Sequence, residues 1–139
     1  MTRVLKVSGF LGLAAVMSVG IYRDYLHASG HAPPFWLTAG SDQLVMLSLV
    51  AIMTGFTIEA LAVTGQLRRG ITILVIVGQW LLPISMWIGF GTGTEIELVL
   101  ATSVVWWPCL IVAMLLMAWQ AIVANTTGDV PYREAPIDD

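Results

Sequence analysis

Apolar residues in this chain fall into four long runs separated by short polar breaks. The runs cover about residues 4–22, 44–64, 71–90 and 98–124. Each approaches or exceeds the roughly 20 residues that a helix needs to cross about 30 Å of hydrocarbon at about 1.5 Å per residue. An open sheet would leave its edge groups unpaired in lipid, so runs of this length predict helices. The expected fold is an all-α integral membrane protein, a four-transmembrane-helix bundle forming one domain over 1–128. A polar, acidic, mobile tail is expected at 129–139.

The breaks carry the topology. A tight turn at 65–70 makes the second and third helices antiparallel neighbours, and 91–97 joins the third to the fourth almost as closely. The long break at 23–43 contains Gly30, Pro33 and Pro34, which predict a folded-back loop without regular structure. Arg3, Lys6, Arg68, Arg69 and Arg133 fall on one side of the predicted membrane and only Arg23 on the other. That asymmetry places both termini in the cytoplasm, in a multi-pass protein of the plasma membrane. Arg3 and Lys6 ahead of an apolar run also describe a signal peptide. The run from Val7 to Ile21 is long for one, and Leu26-His27-Ala28 makes a poor cleavage site, so the first helix is expected to be retained. Asn125-Thr126-Thr127 matches a glycosylation sequon on the cytoplasmic side and is read as chance.

Composition agrees with the pattern. Of 139 residues, 58% are hydrophobic and 11% charged, against about 25% charged in an average soluble domain. A water-soluble enzyme and a disordered segment are excluded on that ground. The net charge of −3 offers no basic footprint for nucleic acid. The single cysteine, Cys109, forms no intrachain disulfide and lies in an apolar run, where a thiol packs as a small hydrophobe.

The scarcity of charge makes Glu59 conspicuous as the ionisable group well inside a predicted span. A mid-helix charge costs about 2.5–3.5 kcal/mol on insertion scales, so it is expected to face a partner or a cavity. Its helical face reads Ser48, Ile52, Gly55, Glu59, Ala62, Gln66, small and polar, and is expected to turn into the bundle. Glu59 is then a candidate proton carrier, acid/base group or cation-binding carboxylate, or else a hydrogen-bonded structural residue. Gln79 lies mid-span on the third helix at a depth where its side chain can meet Glu59. Its alternatives are a substrate contact and interhelical hydrogen-bonding glue. Trp80, Trp87, Trp106 and Trp107, with Pro83 and Pro108, lie near mid-span. Together they outline an apolar, aromatic-walled pocket for a lipophilic ligand, or a tightly packed bundle with lipid-facing tryptophans. The candidate substrate-binding set is Gln79, Trp80, Trp87, Trp106, Pro83 and Pro108.

His27 and His31 have i, i+4 spacing, but Gly30 and Pro33-Pro34 argue against a helical metal pair. Gly89, Gly91 and Gly93 form a turn with no strand before it, not a phosphate cradle. No metal and no cofactor is expected. Ser8, Gly12 and Ala15 form a small-residue face on the first helix suited to close packing against another helix.

Ser41-Asp42-Gln43 at the polar start of the second helix, Gly78-Gln79-Trp80 in the third and Pro108 in the fourth give residues 35–122 an order that resembles styrene oxide isomerase and related small four-helix membrane proteins. The resemblance implies a trimeric bundle acting on small lipophilic epoxides, with heme bound through a histidine near the outer start of the second helix. Trp36 and Leu37 occupy the neighbouring positions here, so heme is not carried over. Trp87-Ile88-Gly89-Phe90-Gly91 is similar to the third helix of small multidrug-resistance transporters. Their essential glutamate is in the first helix and here it is in the second, so that function is not carried over either.

Three readings stand. The first is a membrane binding or accessory subunit with a lipid-accessible apolar pocket, working as a homo-oligomer or within a larger complex. The second is a membrane-embedded isomerase or cyclase on a small lipophilic substrate, with Glu59 as acid/base and Gln79 orienting the substrate. The third is a proton-coupled exporter using Glu59.

Overall fold

The structure, a computed structural model, describes residues 2–127. Four helices follow one another: α1 (Thr2–Ala28), α2 (Phe35–Ala60), α3 (Gly65–Thr92) and α4 (Glu95–Thr127). Each is long and apolar enough to cross a membrane, the architecture of a multi-pass membrane protein. The acidic tail expected at 129–139 lies outside the described residues.

The helices extend beyond the apolar runs. The long break at 23–43 is not an irregular loop: α1 continues to Ala28, α2 begins at Phe35, and only 29–34 connects them. Arg23 to Ala28 contains no breaker, so hydrogen bonding carries the helix on until Gly30, which takes φ +78°. Pro34 sits at the N-cap of α2 in extended conformation, where a missing N–H costs nothing. The polar triplet Ser41-Asp42-Gln43 is therefore inside α2, and Ser41 returns its hydroxyl to the Leu37 carbonyl at 2.7 Å. The second turn shifts the other way. α2 stops at Ala60, and 65–70 forms the beginning of α3 rather than a turn. Gln66, Leu67, Arg68 and Arg69 are good helix formers, and Gly65 supplies the left-handed φ of +64° that enters the helix.

Packing runs in sequence order, α1 on α2, α2 on α3 and α3 on α4, with a lesser contact between α1 and α3. One core cluster joins Leu5, Ala51, Ile58, Ile71, Val75 and Ala113 across all four helices at the α2–α3 turn end. A second, at the other end, joins Leu82 and Met86 of α3 to Trp106 of α4. Within the bundle, α4 packs chiefly on α3. α4 is a peripheral helix, with 11% of its membrane-length window buried against 50% for α3. It buries the narrow stripe Trp106, Leu110, Ala113 and Met117, spaced as one seam of a coiled coil. Leu110 sits against Gly78, where a Cβ would come within 2.5 Å of it.

Candidate functional site

Three places combine chemistry or space with a defined position: a polar lock between α1, α2 and α3, an ion pair at the end of α2, and an apolar groove between α2 and α4.

The lock is centred on Gln79, whose side chain is wholly buried. The Ser8 hydroxyl donates to Gln79 Oε1 at 2.9 Å. The Gln79 amide donates to the Ser8 carbonyl at 3.1 Å and to Ser48 Oγ at 3.2 Å. Trp80 Nε1 donates to Ser8 Oγ at 2.8 Å. Both amide hydrogens and the amide oxygen of Gln79 are thus occupied by protein, and one side chain ties three helices together. The small face of α1 makes this possible: a Cβ at Gly12 would lie 2.1 Å from Ser48 Oγ and 2.7 Å from Gln79 Nε2. Ser8 and Gly12 therefore do pack closely, but within the chain.

Glu59 is not turned into the bundle. It lies in the last turn of α2, its side chain 46% exposed, and it accepts a hydrogen bond from Lys6 Nζ at 2.5 Å. Lys6 also lies 4.0 Å from the centroid of the Phe56 ring. The inward face of α2 was legible, since Ser48 and Gly55 are buried. Its end was not: with α2 stopping at Ala60, the carboxylate emerges at the rim, where α1 presents Lys6. Glu59 and Gln79 accordingly belong to separate sites.

The candidate aromatic and proline residues are distributed over three interfaces instead of walling one chamber. Trp80 reaches α1 through Ser8. Trp87 lies against Gly40 of α2. Trp106 packs on Leu82 and Met86 of α3 and stacks on Trp107 with ring centroids 4.5 Å apart. Pro83 is buried, while Trp107 and Pro108 are exposed on the outer side of α4. Among the described residues, the buried side-chain polar atoms without a partner are Arg68 Nε, Trp87 Nε1 and Trp106 Nε1.

A hollow of about 460 Å³ lies along α4, lined by Trp107, Leu110, Ile111, Met114, Leu115 and Ala118. A groove of about 410 Å³ runs between α2 and α4, lined by Met46, Leu49, Val50, Met53, Thr54 and Thr57 on one side and by Met114 and Met117 on the other. Four of the seven methionines of the chain line it. Sequence reasoning missed these residues, although a signal was present. Met46 and Met53 are seven apart and Met114 and Met117 three apart, so each pair shares one helical face. What the sequence lacked was the juxtaposition of α2 with α4, two helices that do not follow one another in the chain. At the opposite end of the α1–α2 pair, a smaller pocket of about 140 Å³ is lined by Gly20, Arg23, Ser41 and Asp42 together with Val16 and Val19. His27 lies in the last turn of α1 while His31 follows Gly30, its Nδ1 3.4 Å from Ser29 Oγ, so the two do not share a helix. Among the described residues no group of three or more His, Cys, Asp or Glu side chains is placed to hold a metal.

Residues 1–139 match the family described as a domain of unknown function, DUF8059. The chain belongs to the DUF8059 family. No curated protein and no solved structure matches it at a significant level. The chemistry of this DUF8059 chain therefore has to be read from its own residues.

Proposed function

We propose that this protein is a small membrane-embedded binding or accessory subunit that holds a lipophilic molecule in the α2/α4 groove. The observation that carries the reading is the collection of Met46, Met53, Met114 and Met117 at one lipid-accessible groove. Thioether side chains are unbranched and polarisable, and they conform to apolar ligands of irregular shape. The polar inventory supports the same reading. Gln79, Ser8, Ser48 and Trp80 satisfy one another, and Glu59 is held by Lys6 at the rim, which favours structural roles for both groups. The thinly buried α4 supports work as a homo-oligomer or within a larger complex. The basic residues support a plasma-membrane orientation with both termini in the cytoplasm.

The test is photolabelling of the reconstituted protein with a diazirine-bearing fatty acyl probe, followed by peptide mapping. Labels are expected on the segments carrying Met53 and Met114. Val50→Trp, which fills the groove, is expected to lower labelling there about tenfold, equivalent to about 1.4 kcal/mol of binding. Uniform labelling around all four helices, unaffected by Val50→Trp, overturns the reading. The isomerase and exporter readings both rest on Glu59. Glu59→Gln is expected to leave labelling, assembly and cellular phenotype unchanged, and a lost phenotype with intact assembly would move the assignment to them.

A further inference from the structure

We propose that the occupant of the α2/α4 groove is an anionic lipid, with one chain along the methionines and its phosphate held by Arg68 and Arg69. This rests on the groove reading above and names the ligand class.

The length comes first. From Met46 to Thr57 the groove follows 11 residue steps of α2, about 16 Å at the helical rise, which matches one leaflet of a hydrocarbon core about 30 Å thick. It begins near the middle of α2 and ends three residues before Ala60, at the α2–α3 turn. Its occupant is therefore the length of a single chain entering from the leaflet on that side, with its head at the turn.

The charge at that end comes second. Arg68 and Arg69 lie at the start of α3, immediately across the turn. Lys6 and Glu59 form the one ion pair among the described residues, so neither arginine has a carboxylate partner there. Arg3 adds a third cation at the same end, because the contacts of Gly55 with Thr2 and Lys6 place the start of α1 beside the end of α2. Unpaired arginines at a helix N-terminus, where backbone N–H groups and the helix dipole also favour an anion, suit a phosphate ester.

The direction of Arg68 comes third. It shares a helical face with Ile71, Thr72 and Val75, all three buried, and the Thr72 hydroxyl donates to its carbonyl at 2.8 Å. That face packs in the core cluster with Met117, which also lines the groove. Arg68 thus runs along the inner side of the bundle end, and its Nε is buried with no hydrogen-bond partner. A buried guanidinium N–H at this end of the bundle calls for an acceptor that the described residues do not supply.

The experiment is native mass spectrometry of the full chain from mixed micelles holding phosphatidylglycerol and phosphatidylcholine with identical acyl chains. Phosphatidylglycerol is expected to be retained about tenfold over phosphatidylcholine, and the preference is expected to fall as salt rises. The double variant Arg68→Gln/Arg69→Gln is expected to bring the two lipids to parity, and Arg68→Lys/Arg69→Lys to keep a preference. Val50→Trp is expected to lower retention of both lipids. Equal retention by the unmutated chain, or a preference indifferent to salt, overturns the headgroup assignment while leaving the groove reading standing. Unchanged retention of both lipids in Val50→Trp removes the groove reading itself. Displacement of phosphatidylglycerol by millimolar inorganic phosphate, with phosphatidylcholine still held, would make the site one for a free anion and overturn the lipid assignment.

Discussion

Gln79 does for this protein what a disulfide does for a small secreted one: it fixes segments far apart in sequence. Its bonds reach Ser8, 71 residues away, and Ser48, 31 residues away. Interhelical hydrogen bonds in membranes contribute about 0.6–2 kcal/mol each, so Gln79→Leu is expected to destabilise by about 1–3 kcal/mol in a detergent unfolding titration. Gly12→Ala is expected to cost a similar amount by overpacking, because its new methyl meets Ser48 Oγ and Gln79 Nε2. Both changes break the same lock, so the double variant is expected to fall short of the sum of the two. A mid-span glutamine advertises itself in an apolar sequence, and Gln79 was legible for that reason. Its partners were not. Ser8 and Ser48 each stand on a small face suited to packing, but joining them to Gln79 requires the rotation of α1 about its axis. Glu59 failed in the opposite sense. It was visible as a charge, but its depth depended on where α2 stops, and a shift of four residues moves a carboxylate by about 6 Å along the axis.

The helices themselves differ in how firmly they are held. α3 is central, α1 is locked by Gln79, and α4 depends on one stripe and on the notch at Gly78. Gly78→Ala is expected to loosen α4, since the added carbon meets Leu110 at 2.5 Å. Adding Leu110→Ala to that variant is expected to restore part of the lost stability, measured by the same titration, which a merely weakened helix would not do. The existence of all four helices was legible because runs of about 20 apolar residues have few alternatives in lipid. Their ends were harder to read, because hydrogen bonding continues into polar sequence until a glycine or proline interrupts it. Arg23 to Ala28 and Gln66 to Arg69 are polar enough to resemble loops, yet none of them opposes a helix. The peripheral place of α4 was illegible for another reason: a helix apolar all round is suited equally to a protein core and to lipid.

At the scale of the whole molecule, the groove offers a test that needs no mutation. Met46 and Met53 are each 64% exposed and Met17 on α1 is 72% exposed, whereas Met86 is 9% exposed. In detergent, peroxide is expected to oxidise the first three well ahead of Met86, as followed by mass spectrometry. Supplying lipid that fills the groove is expected to protect Met46 and Met53 while a methionine outside the groove, Met17, gains no equal protection. The lock between α1, α2 and α3 also has a consequence for biosynthesis. A nascent chain delivers α1 and α2 to the bilayer before Gln79 has been translated. Until the third helix emerges, the Ser8 hydroxyl lacks both Gln79 and Trp80, its two side-chain partners in the finished molecule. The first helical hairpin is therefore an unfinished intermediate, closed when the third helix brings in Gln79 and Trp80.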